Sequence, residues 1–311
     1  MHLETLEILS LTDDPALFSN RIGESFRSFG FAIINDHGID AQLISLGWEL
    51  TQELFVLPEE EKLTYYRESL SGARGYTPFG KEVAKDAKAH DLKEFWHVGR
   101  ELPAGHSLSA NMPANLWPSR PTKFRETFAA LFAEFDRVGN LILSRIATYL
   151  DLPSDWFAPV TADGNSVLRM LHYPPVQNAQ VGAIRAAAHE DINFITLLLG
   201  AEEAGLELQT RDGQWLSVSA PDGALVVNIG DMLQRLTNAV LPSTTHRVRN
   251  PDPERTGASR YSMPFFLHPR SDFSITTLPN CITPDNPDRY PEPITANEYL
   301  QQRLREIGLM K

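Results

Sequence analysis

The chain of 311 residues carries a single cysteine, Cys281. An internal disulfide and a thiolate-held zinc cluster are both excluded, so any transition metal has to be held by imidazole and carboxylate groups. Basic charge is also short: 28 Lys and Arg stand against 40 Asp and Glu, for a net charge of −12. So acidic a chain is a poor general partner for phosphate backbones or anionic bilayers, which argues against nucleic acid and membranes as partners. Long apolar runs are missing too, since residues 194–199 and 223–227 are far too short to span a bilayer. Met1-His2-Leu3-Glu4-Thr5 has no basic stretch leading into an apolar core, so no secretory leader is expected. What remains is the expectation of a soluble, cytoplasmic globular protein. With 42% hydrophobic and 22% charged residues, the chain can bury a sizeable core.

Helix and strand signals alternate over the first third. Leu17, Ile22, Phe26 and Phe29 recur at helical spacing over residues 15–29, and Gly30 is placed to end that helix. Phe31-Ala32-Ile33-Ile34 reads as a short buried strand closed by Asn35-Asp36-His37-Gly38, and a second helix is expected from residue 40 to about residue 55. Pro58 before Glu59-Glu60-Glu61 opens a further helix, with carboxylates at the positive end of its dipole. Residues 72–91 are Gly-rich and mixed in charge, and read as a long loop or lid rather than core. The strongest helix covers residues 124–150, where Phe124, Phe128, Leu131, Phe132, Phe135, Val138, Ile142 and Ile146 form one stripe. Core packing is the plain reading of that stripe.

From residue 167 the pattern changes to short apolar runs at 168–173, 192–199, 206–210, 214–218, 224–229, 244–248 and 260–267. Arg211-Asp212-Gly213 between two of them signals a hairpin. So many short strands fit a sandwich or jelly roll. Residues 295–309 return to a helical pattern. The expected fold is mainly β with flanking helices. It forms one compact unit over residues 1–311, with an N-terminal helix and strand region at 1–110, a jelly-roll core at 165–270 and a C-terminal helix.

His189-Glu190-Asp191 stands where the run 192–199 begins. On a strand, positions i and i+2 project from one face, so His189 and Asp191 would share a space while Glu190 points away. One imidazole and one carboxylate supply two of the three ligands of a facial triad, which leaves positions on Fe(II) open. A His-X-Asp triplet is weak alone, because chance supplies about half a match in a chain of this composition. A surface pair at a strand start would explain it equally. His246, in Thr244-Thr245-His246-Arg247-Val248, is the candidate third ligand, although an isolated histidine there is more simply a hydrogen-bonded sheet residue. The strand at 224–229 between the two signals lets an early and a late strand meet. Arg260 and Ser262 share a face of the next strand and offer a guanidinium fork and a hydroxyl to a carboxylate. Alone, Arg260 would be read as a surface ion pair. Together the five residues meet both needs of a dicarboxylic keto acid, a metal for its keto-carboxylate end and a cation for the distal carboxylate.

In this order the residues resemble the isopenicillin N synthase-like family of Fe(II)/2-oxoglutarate-dependent oxygenases, over nearly the whole chain. Phe29-Gly30-Phe31 with Asn35-Asp36-His37-Gly38-Ile39, Leu57-Pro58-Glu59-Glu60-Glu61-Lys62, Arg74-Gly75-Tyr76 and Asp91-Leu92-Lys93-Glu94-Phe95 are similar to the family's N-terminal half. His189-X-Asp191, Asp212-Gly213-Gln214-Trp215, residues 223–231, His246-Arg247-Val248 and Arg260-X-Ser262 are similar to its C-terminal half. The resemblance implies a double-stranded β-helix core, Fe(II) on His189, Asp191 and His246, 2-oxoglutarate held by Arg260 and Ser262, and Tyr173 hydrogen-bonded to that co-substrate. Alternation puts Tyr173 on the face of Leu171 and Arg169, consistent with an inward phenol, although a core tyrosine at a strand end is the plainer reading. The resemblance also implies O2 as oxidant and a small-molecule substrate whose C–H bond is hydroxylated, desaturated or cyclised, with release of succinate and CO2.

Two departures accompany it. Leu171 stands where plant members commonly carry Asn, and Asn238-Ala239 where many members have Asn-Gly. Ala239 resists a positive φ, so a different turn is expected there. Two other readings stay open: an iron oxidase of the same fold that does not use 2-oxoglutarate, and a non-catalytic metal-binding jelly-roll module. Open iron positions favour an enzyme over the module. The substrate pocket is expected to draw on Arg74, Tyr76, Phe95, Trp96, His97 and Phe266.

Overall fold

A computed structural model describes residues 6–70, 72–80, 93–175, 185–199, 205–249 and 259–306. Its strands, in chain order, are β1 (Ile8–Ser10), β2 (Phe31–Asn35), β3 (Gly75–Thr77), β4 (Glu94–Gly99), β5 (Val167–Tyr173), β6 (Ala186–His189) and β7 (Ile195–Leu199). They continue with β8 (Leu206–Gln209), β9 (Trp215–Ser217), β10 (Leu225–Ile229), β11 (His246–Val248), β12 (Arg260–Leu267), β13 (Ser274–Ile275) and β14 (Ile294–Thr295). The helices are α1 (Pro15–Phe29), α2 (Ala41–Val56), α3 (Glu59–Leu63), α4 (Phe124–Tyr149), α5 (Ala158–Thr161), α6 (Asp231–Leu236) and α7 (Ala296–Glu306).

Local chemistry sets the early elements. The Asp14 carboxylate accepts from the Ala16 and Leu17 N–H groups at the start of α1, and Gly30 closes that helix at φ 68°. A Cβ at Gly30 would stand 2.3 Å from Thr244 Oγ1, so both the backbone angle and the space demand glycine. Asp40 caps α2 in the same way, accepting from Gln42. Along α4 the expected stripe is buried throughout, and Phe132 and Phe135 meet Phe265 of β12 at 5.1 and 5.6 Å between ring centroids.

Eight strands form one sheet in the order β1-β2-β10-β7-β12-β5-β4-β3, and four form a second in the order β6-β11-β8-β9. The β1–β2 pair is parallel and the others are antiparallel. Strand alternation divides the large sheet into two faces. Its outer face buries Ala32, Ile34, Ile195, Leu197, Leu225, Val227, Met263, Phe265 and Leu267 in the main core with α1, α2 and α4. From its inner face Phe31, Ile33 and Val226 meet Ala186, Leu206, Leu208 and Val248 of the small sheet in a second core. Two sheets closing on an inner core beneath an N-terminal helical layer make the expected jelly roll, and α7 supplies the C-terminal helix. Among the described residues, no helix is long and apolar enough to cross a membrane.

Several local expectations change. Residues 75–77 are not loop but the edge strand β3, and Tyr76 is 2% exposed within the main core; residues 81–92 lie outside the described residues. The run expected at 192–199 becomes strand only at Ile195. Ala239 does take a positive φ of 60°, after Asn238 at 52°. Such a backbone costs an L-residue about 1–2 kcal/mol, and local bonds offset it. The Ala239 N–H donates to Gln234 O at 2.8 Å. The buried Asn238 amide donates to the Cys281, Asn286 and Pro287 carbonyls and accepts from Arg289 N–H.

Candidate active site

His189 ends β6 and His246 begins β11, and the two are direct cross-strand partners with ring centroids 4.4 Å apart. Asp191 lies beyond the strand, on the turn between β6 and β7. Its approach to His189 therefore comes from that turn and not from strand alternation, which corrects the expectation. The large sheet holds the carboxylate in place. Asp191 Oδ2 accepts from Thr196 Oγ1 at 2.6 Å and from Asn228 Nδ2 at 2.8 Å, two buried groups on its inner face. One sheet thus presents two imidazoles and the other fixes a carboxylate between them.

The ligand-capable atoms of His189, Asp191 and His246 lie within 4.8 Å of one another. His189 Nε2 is 3.8 Å from Asp191 Oδ1, and His246 Nε2 is 3.9 Å from Asp191 Oδ2. Each histidine turns Nδ1 to a backbone carbonyl, Ala187 O at 2.7 Å and Thr244 O at 3.1 Å. A carbonyl partner requires the proton on Nδ1, which leaves the Nε2 lone pairs facing the centre. Burial would raise the Asp191 carboxyl, but His246, His189, Thr196 and Asn228 outweigh it and hold it below its ordinary range. The surrounding protein, helped by His246, pushes His189 down to about 4 against the pull of Asp191. Two imidazoles and one carboxylate, without thiolate, fit a facial triad for Fe(II).

The turn is also braced from behind. Asp231 N–H donates to Asp191 O at 2.8 Å, and Thr245 Oγ1 donates to Glu190 Oε1 at 3.0 Å. From α7, Arg303 pairs with Asp231 at 2.9 Å and approaches Glu190 at 4.0 Å. Burial and Glu190 push the Asp231 carboxyl up to about 7, and Arg303 opposes them.

Arg260 stands opposite Tyr173 in the β12–β5 register, and Ser262 opposite Leu171. All four are buried, with the Arg260 guanidinium 5.2 Å from the Tyr173 ring. Arg185 was missed by sequence reasoning. It is fully buried and lies 6.0 Å from the same ring, so a second guanidinium borders this corner. The signal existed: an arginine heads an alanine run at an even offset of four from His189. Leu171 packs with Phe95 and Tyr173 into a small apolar cluster beside Arg260.

The residues expected to line a substrate pocket separate by strand alternation. Phe95 and His97 face inward with Arg169, whose guanidinium lies 4.3 Å from the Phe95 ring and 5.1 Å from Phe266. Arg169 Nε donates to His97 Nε2 at 2.5 Å, and His97 Nδ1 donates to Gly72 O at 2.6 Å. Trp96 and Tyr76 face the other way, into the main core, and do not line the inner site. Trp96 packs near Tyr65 and Phe124, and the Tyr76 hydroxyl donates to Glu94. Arg74 is buried against Gly99 at the end of β4.

Fold and site define a jelly-roll protein in which two histidines and one carboxylate are gathered closely enough to hold a metal ion, with a buried arginine, Arg260, on β12. Comparison with known proteins makes the class specific. Residues 164–269 match the 2OG-Fe(II) oxygenase superfamily, and residues 3–120 match the N-terminal region of non-haem dioxygenase in morphine synthesis. A 2-oxoglutarate-Fe(II) type oxidoreductase of Emericella nidulans is 33% identical over 296 residues, covering 92% of this chain and 83% of the relative. A crystal structure assigned to the 2OG-Fe(II) oxygenase family, from Caulobacter crescentus, is 53% identical with a TM-score of 0.91, covering 97% of this chain and 99% of that one. A full-length Neurospora crassa protein, solved in complex with alpha-KG, is 27% identical with a TM-score of 0.86, covering 96% of this chain and 95% of that one. The chain belongs to the 2OG-Fe(II) oxygenase superfamily. It is a dioxygenase that uses Fe(II), 2-oxoglutarate and O2.

Proposed function

We propose that His189, Asp191 and His246 hold the iron, and that Arg260 and Ser262, bordered by Tyr173 and Arg185, hold the distal carboxylate of 2-oxoglutarate. The reaction is oxidation of an unactivated C–H bond of a small molecule by hydroxylation, desaturation or ring closure. The observation that carries this reading is the cross-strand pair of histidines, both turned by backbone carbonyls to present Nε2 to an aspartate that the opposite sheet fixes. When bound, Fe(II) and 2-oxoglutarate supply the O2-dependent oxidation, with succinate and CO2 as products.

The protein's own part is positioning. Thr196 and Asn228 occupy Asp191 Oδ2 and leave Oδ1 for the metal. Arg260 offers a planar charged fork and Ser262 a hydroxyl, within a buried corner where such bonds are strong. Phe31, 5.5 Å from His246, and the Leu171–Phe95 cluster give the site apolar walls. Residues 165–270 act as the catalytic core, supported by residues 1–110 within one unit. The net charge of −12 and the single cysteine support a cytoplasmic enzyme acting on a free small molecule, not on nucleic acid or a membrane.

Succinate release should require both Fe(II) and 2-oxoglutarate, and His189→Ala should abolish it. Undiminished release by that variant would refute the ligand assignment. Substrate oxidation without 2-oxoglutarate would favour the oxidase reading.

A further inference from the structure

Arg74 is 2% exposed, yet none of the described carboxylates pairs with it. Nη1 donates to Ala73 O at 2.7 Å, Nη2 reaches Asn165 Oδ1 at 3.4 Å, and Nε meets no acceptor. Burial pushes this guanidinium down to about 10. An enclosed cation without a counter-charge is unfavourable for the fold. The sequence nevertheless makes room for it. A Cβ at Gly99 would stand 2.0 Å from Arg74 Cζ, so glycine lets the guanidinium lie flat on the end of β4. Asn115 occupies both the Gly99 N–H and its carbonyl, which stops the strand there.

The register connects this cation to the metal centre. Gly99 pairs with Val167, Val167 with Phe266, and Phe266 with Thr196, the residue that holds Asp191. Three interstrand steps give a span of about 14 Å between backbones, which the Arg74 and Asp191 side chains shorten from either end. Burial lowers His268, two residues beyond Phe266, to about 4, with Asp191 opposing and Arg74 adding to that. Phe266 stands on that path, and Arg169 bridges its ring to that of Phe95.

Resting on the iron and 2-oxoglutarate reading, we propose that the substrate is a small molecule with a carboxylate, bound by Arg74. Its apolar body lies against Phe95 and Phe266, and its oxidisable carbon points to the metal. A single guanidinium edge beside the Asn165 amide suits a planar monoanion better than a phosphate dianion.

The test uses the protein loaded with Fe(II) and 2-oxoglutarate without oxygen, following the visible charge-transfer band of the chelated keto acid. Phenylacetate, hexanoate and cyclohexanecarboxylate are titrated against their amides and against phenyl phosphate. The acids should perturb the band saturably and the amides should not. Arg74→Gln should raise the apparent Kd of the acids roughly 10- to 100-fold, with Arg74→Lys between it and wild type. The proposal is overturned if amides or phenyl phosphate act as strongly as the acids, if no acid acts, or if Arg74→Gln binds acids like wild type. Should Arg74→Gln lose the band itself, Arg74→Lys and the acid–amide contrast in wild type decide. Absence of the band in wild type would instead refute the underlying iron and 2-oxoglutarate reading.

Discussion

On the outer face of β4, Glu94 accepts from Lys62 Nζ at 2.7 Å, Tyr76 Oη at 2.5 Å and His172 Nδ1 at 2.7 Å. Lys62 also donates to Phe55 O, so the network is closed on itself and against the helical layer. The candidate centre and the Arg74 corner carry polar groups that keep bonding capacity among the described residues. Asp191 keeps Oδ1, the two histidines keep Nε2, and Arg74 keeps Nε. Buried polarity that is satisfied internally fixes one structure, whereas buried polarity left open is a binding site. The closed network holds the fold, and the open groups are the ones proposed to hold ligands.

The largest effect that would sharpen this contrast is expected on the closed side. Lys62→Met strands the Glu94 carboxylate and should cost about 3–5 kcal/mol in denaturant unfolding at pH 7, leaving the iron affinity of the folded protein as it was. Burial alone would raise the Glu94 carboxyl, but His172, Lys62 and Tyr76 hold it below its ordinary value of 4.5. Its stabilisation is therefore present above about pH 4.5 and is lost as pH falls below that value. The deficit of the variant should shrink over the same range. A deficit independent of pH would break the comparison.

A smaller effect is expected on the open side. Thr196→Val leaves Asp191 Oδ2 with Asn228 alone and should weaken Fe(II) binding roughly 10- to 100-fold, with a stability change of about 1 kcal/mol. Equilibrium dialysis against Fe(II) without oxygen measures the first, and thermal unfolding the second. Unchanged iron affinity would show that the inner face does not position the ligand.

Much of this was legible in the residues. The 3.6-residue period placed α1 and α4 almost to the residue, because each has one apolar stripe facing one core. Arg260 and Ser262 share a buried face because β12 is regular through that stretch. What stayed hidden has physical reasons. All six residues of β4 are buried, so no polar alternation marks it as a strand. β6 is three alanines and a histidine, with little intrinsic strand preference. Asp191 sits on a turn whose geometry depends on Thr196, Asn228 and Asp231, all later in the chain. Trp96 stands between Phe95 and His97, and neighbours on one strand cannot share a face, so it turns with its register partner Tyr76 into the main core. Ala239 takes its strained angle because Asn238 is held by residues some fifty positions onward, a contact no local pattern reveals.

The central claim is one iron on His189, Asp191 and His246, chelated by 2-oxoglutarate anchored at Arg260. Anaerobic titration with Fe(II) and then 2-oxoglutarate tests it most directly. Wild type should develop the charge-transfer absorbance at one iron and one 2-oxoglutarate per chain, His246→Ala should not, and Arg260→Gln should need far more 2-oxoglutarate. An undiminished band in His246→Ala, or tight iron binding with no band in wild type, would contradict the account.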